Sequence, residues 1–299
     1  MQPGTTFGES SALRNLLIWL IGAGLAFQLS ACSAPEQGPF NGTLRVGVLP
    51  DESENILLER YTPLLDFLTQ ETGHPGEIVI PDSYEELLKA FGEGQIDLAY
   101  FGGATFVKAN TEYGAVPLVM RDVDARFTSD LVVAGEDLKT LKELQGKRFS
   151  FGSRLSTSGH LMPRHFLHER YGVTPENYFH SIQYSGKHDL TAYLVRDGDV
   201  DAGVVNSEII RKMFADGRLQ PGDIRVIWTT PPYTDYVWAA HPQIPAVDRE
   251  KIQQAFLQLS VDNPRHKAIL AHLGAAGFYP ASIGDSSMLK QVMDGLGML

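Results

Sequence analysis

Lys147-Arg148-Phe149-Ser150-Phe151-Gly152-Ser153-Arg154-Leu155-Ser156-Thr157-Ser158-Gly159-His160-Leu161-Met162-Pro163-Arg164-His165-Phe166-Leu167 is the stretch whose reading decides the fold. Residues 147–151 read as a short strand, and Leu161, Phe166 and Leu167 begin an apolar pattern of helical spacing. A strand-to-helix turn therefore falls on Ser156-Thr157-Ser158-Gly159. The first backbone N–H groups of a helix have no partner inside it, and the macrodipole adds partial positive charge there. Three hydroxyls at such a point can hold a phosphate-like anion without Lys or Arg. The simpler reading is that Ser156 or Ser158 is an N-cap and nothing more.

Outward from that turn, strands and helices alternate. Thr43 to Pro50 reads as a strand stopped by Pro50, followed by a helix from Ile56 to Thr72 with Leu57, Leu58, Tyr61, Leu64, Leu65 and Leu68 on one stripe and Gly73 at its end. Glu77–Pro81 is a second strand. Ser83 with Glu86 forms a capping box for a helix over 84–92. Gln95–Phe101 is a buried strand, and Gly102-Gly103 opens a helix over 104–113. This order predicts a mostly parallel sheet with helices on both faces and ligands at the carboxyl ends of its strands. A second unit repeats the scheme, with strands at 130–134, 147–151, 181–184, 200–205 and 224–228, a short helix at 141–144, and helices running to about 171, at 190–196 and at 207–215. A return strand at 236–240 and helices near 248–261, 264–274 and 286–295 complete the chain.

Gly94-Gln95-Ile96-Asp97-Leu98-Ala99 echoes Gly198-Asp199-Val200-Asp201-Ala202-Gly203, each at a step from helix to buried strand. The expectation is an α/β protein of two Rossmann-like lobes joined by strands near 130 and 237. Lobe I would hold 43–129 and 237–299, and lobe II 130–236, with a cleft between them that closes by a hinge.

The 299 residues are 43% hydrophobic and 20% charged, as in ordinary globular proteins. The formal net charge of -11 argues against nucleic acid or an anionic membrane surface as partner. It leaves a small anion open, because local donors decide that binding. Cys32 is the one cysteine, so no internal disulfide can form. The apolar run Leu16–Leu29 is short for a membrane span, which needs about 20 residues. It suits the core of a signal peptide over 1–31; a membrane anchor is the other reading. Arg14 and Glu9 cancel within that segment, so a mature chain keeps the same charge. Residues 32–42, with Pro35, Gly38, Pro39 and Gly42, read as a tether.

Leu29-Ser30-Ala31-Cys32 resembles the bacterial lipobox, which implies cleavage before Cys32 and lipidation of its thiol. The remainder resembles the phosphonate/phosphite solute-binding proteins of ABC importers, in the type II periplasmic binding protein class. The likeness rests on Val46-Gly47-Val48, Tyr61-Thr62-Pro63-Leu64-Leu65, Pro81-Asp82-Ser83-Tyr84, Ile96 to Gly102, Ser156 to Gly159 with Pro163, His188, and Trp228 through Asp235 to Trp238. It implies that Ser156, Thr157 and Ser158, Tyr84 and His188 hold the oxygens of a small tetrahedral oxyanion. It matches Glu208 and Asp235 to carboxylates that take a ligand ammonium in aminophosphonate binders. In binders of protonated oxyanions a carboxylate can instead accept a hydrogen bond from an O–H. Phe101 stands where the aminophosphonate pattern has a second Tyr, so one donor is lost, and Tyr100, Tyr233 and Tyr236 compensate or narrow the pocket. The resemblance further implies a monomer in the periplasm, anchored by lipid, docking on an inner-membrane ABC permease, with no cofactor. The anion is phosphonate, phosphite or phosphate, or a selenium or arsenic oxyanion. The alternative role is a sensor presenting its closed form to a membrane histidine kinase.

An enzyme is not expected. GxSxG, HExxH and GxxxxGK[ST] are all absent from the sequence, and Ser158, His188 and Asp189 are a triad in residue type alone. His160, His165, His168 and Glu169 match no zinc motif and read as a solvated helix face rather than a metal site. The aromatics of 228–238 read as core and hinge packing.

Overall fold

The computed structural model describes residues 1, 3, 4 and 40–299. Most of the segment expected to be a signal peptide, Cys32 and most of the tether lie outside the described residues. The compact unit 39–299 runs β1 (Leu44–Val48), α1 (Glu54–Thr72), β2 (Gly76–Val79), α2 (Tyr84–Gly92), β3 (Leu98–Phe101), α3 (Gly103–Tyr113), β4 (Val116–Arg121) and β5 (Ser129–Val133). It continues with β6 (Arg148–Phe151), α4 (Met162–Tyr171), α5 (Pro175–Tyr178), β7 (Ser181–Tyr184), α6 (His188–Arg196), β8 (Ala202–Asn206), α7 (Ser207–Ala215) and β9 (Arg225–Thr229). Last come β10 (Val237–Ala240), α8 (Ala246–Gln258), α9 (Pro264–Leu273), β11 (Phe278–Pro280) and α10 (Ser287–Gly295).

Two sheets result. The first has the order β11-β4-β10-β3-β1-β2 and the second β7-β6-β8-β5-β9. β1 is parallel to β2 and β3, and β6 is parallel to β7 and β8. The expected mostly parallel pairing is thus confined to one part of each sheet. β10 and β4 extend the first sheet antiparallel, and β5 and β9 do the same in the second. β4 went unread because Pro117 breaks its strand pattern and Gly114 ends α3 two residues before it. The chain passes between the sheets twice, over 122–128 and 230–236. These crossings pair with each other: Phe127 N–H donates to Tyr233 O at 2.8 Å and Tyr233 N–H to Phe127 O at 3.0 Å.

The echo noted in the sequence has a structural cause. Asp97 takes the Arg45 side chain at 2.6 Å and the Arg45 N–H at 2.9 Å. Asp201 takes the Arg148 side chain at 2.9 Å and the Arg148 N–H at 2.8 Å. Each Asp thus ties the start of one inner strand to the parallel strand beside it. Gly94 and Gly198, both left-handed, turn the chain out of the preceding helix. Apolar alternation fills both faces of the second sheet: Val132 packs with Val195, Val205 and Met213, while Leu131 and Val133 pack with Phe149, Phe151 and Phe179 on the other side.

Candidate binding site between the lobes

The carboxyl ends of β1, β3, β6 and β8 lead into Asp51, Gly102-Gly103, Gly152 to Gly159, and Asn206. Helices start beside them, so N–H groups and positive dipole ends gather where the two lobes meet.

The Ser-Thr-Ser turn is both things the sequence allowed. Ser156 is an N-cap: its Oγ accepts the Gly159 N–H at 2.9 Å. The turn that follows, Thr157–Leu161, is a π-type turn continuous with α4, so the helix begins before Leu161. Its wider backbone loop, closed by Leu161 N–H to Ser156 O at 3.0 Å, is of the kind often found at functional positions. Thr157 Oγ1 accepts the Ala104 N–H at 2.9 Å, and Asp235 Oδ1 accepts the Gly103 N–H at 2.8 Å. The first two amides of α3 are therefore spent on holding Thr157 and Asp235 across the cleft.

His188 is the first residue of α6 rather than a loop residue, and it is buried. Burial drives its pKa down to about 4, so the ring is neutral near pH 7. Its Nδ1 accepts the Asn206 N–H at 3.2 Å. The proton of the neutral ring therefore sits on Nε2, which is a buried donor with no partner among the described residues. His188 lies against the turn: a Cβ on Gly159 would stand 2.9 Å from His188 Cε1. Tyr84, the first residue of α2, lies beside the Ser156 hydroxyl, and burial raises its pKa well above the ordinary tyrosine value. The structure thus brings Tyr84, Ser156, Thr157, Ser158, His188 and Asp235 together, all buried.

Two carboxyl groups stand among these donors. Burial pushes Asp235 up to about 7 against the pull of the Gly103 amide and the nearby Thr157 and Ser158 hydroxyls. Its Oδ2 has no partner. Asp51 is likewise raised to about 7, by burial and by Glu52 beside it. Asp51 Oδ2 accepts from Tyr236 at 3.0 Å, the Tyr236 hydroxyl accepts from Asn206 Nδ2 at 3.0 Å, and Asp51 Oδ1 is unpartnered. The sequence reading missed Asp51, Asn206 and the Gly103 and Ala104 amides. Asp51 carried a legible signal, since it follows Pro50 at the carboxyl end of the first strand. Asn206 and the amides carried none.

Other expected members lie around this group or away from it. Phe101 is buried in β3 with its ring 5.1 Å from Phe91. Glu208 pairs with Arg211 on its own helix and lines a small cavity with Arg60, Arg121 and Lys212, next to Asp51, Asn206 and Tyr236; no hydrogen bond joins it to the turn. Tyr233 bonds the Ser129 hydroxyl and lies beside Ser158 and Asp235 at the edge of the site. Ser158, His188 and Asp189 form no relay, because His188 Nδ1 is taken by an amide and Asp189 Oδ2 by the Ser53 N–H at 3.0 Å. His160 Nδ1 is 2.8 Å from Arg154 O, and His165 lies 3.7 Å from Glu169. The geometry suits a guest with several acceptor oxygens and one proton of its own: hydroxyls and an imidazole N–H donate, and one carboxyl shares a proton.

Comparison with known proteins matches the sequence and the fold. The family described as the periplasmic substrate-binding protein of phosphonate ABC transporters matches residues 46–286. The probable ABC transporter phosphite binding protein PhnD1 of Prochlorococcus marinus is 29% identical over 293 residues, covering 93% of this chain and 97% of that protein. The phosphate-import protein PhnD of Mycolicibacterium smegmatis is 29% identical over 254 residues, covering 78% of this chain and 79% of its own length. The structure of the Prochlorococcus PhnD1 in complex with methylphosphonate superposes with a TM-score of 0.80 at 28% identity, covering 86% of this chain and 99% of that one.

Proposed function

We propose what this chain, which belongs to the family of periplasmic substrate-binding proteins of phosphonate ABC transporters, captures between its lobes: a small tetrahedral oxyanion of the phosphite or methylphosphonate kind. The observation that carries the reading is the unpartnered, buried His188 Nε2–H against the Ser156–Ser158 turn, with the unpartnered Asp235 Oδ2 beside the same turn. A buried donor without a partner costs about 1–3 kcal/mol, and an oxyanion recovers it. An acidic chain can do this because neutral donors and helix dipoles supply the attraction. Phe101 offers no hydroxyl for a larger amino-substituted ligand, which favours the smaller anions. The lobe boundaries that fit this cycle are 129/130 and 236/237. The closed form then presents the guest to an inner-membrane ABC permease, with no chemistry done on it.

The test is a thermal-shift panel of phosphite, methylphosphonate, phosphate, aminoethylphosphonate, selenite, arsenate and sulfate on the folded domain. A ligand at a hundred times its Kd is expected to stabilise by about 2.7 kcal/mol. Phosphite or methylphosphonate should give the largest rise and sulfate none. A panel with no response sinks the reading, and a largest response to selenite or arsenate replaces the ligand.

Cys32 and its lipobox supply the proposed anchor, holding a monomer at the periplasmic face of a membrane. Among the described residues no helix is long and apolar enough to cross one. In cells, Cys32→Ser is expected to move the chain from the membrane fraction to the soluble periplasmic fraction or leave it unprocessed. A variant that still fractionates with membranes after cleavage counts against lipidation.

A further inference from the structure

Three consecutive residues of the first lobe are gripped by three groups of the second: the His188 backbone amide, the Arg218 side chain and the Asp189 carboxylate. Asp51 O accepts the His188 N–H at 2.9 Å. Glu52 Oε1 accepts from Arg218 Nη1 at 2.8 Å. Ser53 N–H donates to Asp189 Oδ2 at 3.0 Å. Residues 51–53 join β1 to α1 in the first lobe, whereas His188 and Asp189 open α6 and Arg218 follows α7 in the second. The central contact is ionic and shielded: Glu52 is fully buried and also holds Arg60 of α1, while Arg218 is held by Asp216 at 2.9 Å.

When the lobes part, Glu52 keeps Arg60 and Arg218 keeps Asp216, so neither charge is stranded. Parting this contact therefore costs one charge-assisted hydrogen bond and two neutral-donor bonds, and no trapped ion. These are bonds between protein groups, made whenever the lobes close. A ligand adds to this term without touching it.

We propose that Glu52–Arg218 is an interlobe clasp, with Arg218 a positioning residue that sets the closed population and so scales affinity for every ligand by one factor. This rests on the binding function proposed above. The apparent Kd is the intrinsic Kd divided by the binding-competent fraction, so a weaker clasp raises every Kd in proportion and leaves the ratio between two ligands unchanged. A residue that touches the ligand changes that ratio instead.

The experiment compares the parent with Arg218→Ala, Asp189→Asn and Arg218→Lys. Kd values are measured for phosphite, methylphosphonate and phosphate by calorimetry. The distance between dyes placed on the two lobes is measured without ligand. Arg218→Ala is expected to raise each Kd about tenfold, the scale of one charge-assisted bond, with unchanged ratios and a longer or broader interlobe distance. Asp189→Asn should act in the same direction, and Arg218→Lys should recover most of the loss. Unequal factors among ligands, or equal Kd and distance in parent and Arg218→Ala, overturn the clasp. Should the parent bind none of these anions, the ligand reading fails, and the distance measurement alone decides the clasp.

Discussion

Gly159→Ala is expected to lower anion affinity at least a hundredfold while the chain still folds. Gly159 does not need its freedom for a left-handed turn; it needs to have no side chain. A Cβ there would stand 2.9 Å from His188 Cε1, 2.9 Å from Ser156 Oγ and 3.3 Å from Gly152 Cα. The last neighbour is backbone, tied by Gly152 N–H to Gly159 O at 2.9 Å, so it gives way only if β6 and the turn separate. The added methyl therefore displaces the imidazole and the capping hydroxyl together. Each loses its aim at the anion, and charge-assisted bonds of this kind are worth about 1.5–3 kcal/mol apiece. Overpacking itself costs about 1–3 kcal/mol of stability. Calorimetric titration with phosphite or methylphosphonate measures the first effect and a thermal melt the second. Affinity within a few-fold of the parent would show that the 156–159 turn does not shape the ligand site.

Asp235→Asn is expected to do two opposite things. Without ligand it stabilises the protein at high pH. Folding raises the Asp235 carboxyl from 3.8 to about 7, so the folded state disfavours its ionised form. The stability tied to this group is therefore complete below the unfolded carboxylate pKa. It is lost progressively as pH rises from about 4 to about 7, and stays lost above that. Asn carries no such penalty. At pH 8 the variant should exceed the parent by about 2 kcal/mol or more, roughly 5 °C in melting temperature, and the two should converge near pH 4. Asp51 titrates in the same window in both proteins and leaves this difference intact. Toward ligands the variant should lose discrimination. The parent's carboxylate accepts a bond from a guest that carries an O–H and repels one that carries none, such as sulfate. Removing the charge is expected to narrow the phosphate-to-sulfate affinity ratio at least tenfold. Parallel melting curves across pH, or an unchanged ratio, would remove Asp235 from the selectivity argument.

Much of the fold was legible because its punctuation is local. Ser83 with Glu86 starts α2, Gly73 ends α1, and Gly102-Gly103 opens α3, each through a side chain or glycine acting within four residues. Two of the antiparallel strands were harder. β4 holds a proline, and β11 is three residues long, so each depends on its neighbours rather than on its own pattern. The site divides in the same way. Ser156 to Ser158, Tyr84, His188 and Asp235 stood out by residue type and order. The role of the Gly103 and Ala104 amides did not, because a backbone N–H has no sequence signature. The tautomer of His188 was equally hidden, since it depends on an amide eighteen residues away. Glu208 was named by analogy of position, and its neighbour Arg211, one turn along the same helix, takes its charge.

Every side chain of the cradle lies at 1 or 2% of its full accessibility. A guest sealed at that depth has no lateral escape, so its dwell time is set by how often the halves swing apart, a motion on the microsecond-to-millisecond scale. Tight capture and prompt delivery then pull against each other. A transporter that unloads such a carrier must prise the halves open itself, spending work on the protein rather than on the anion.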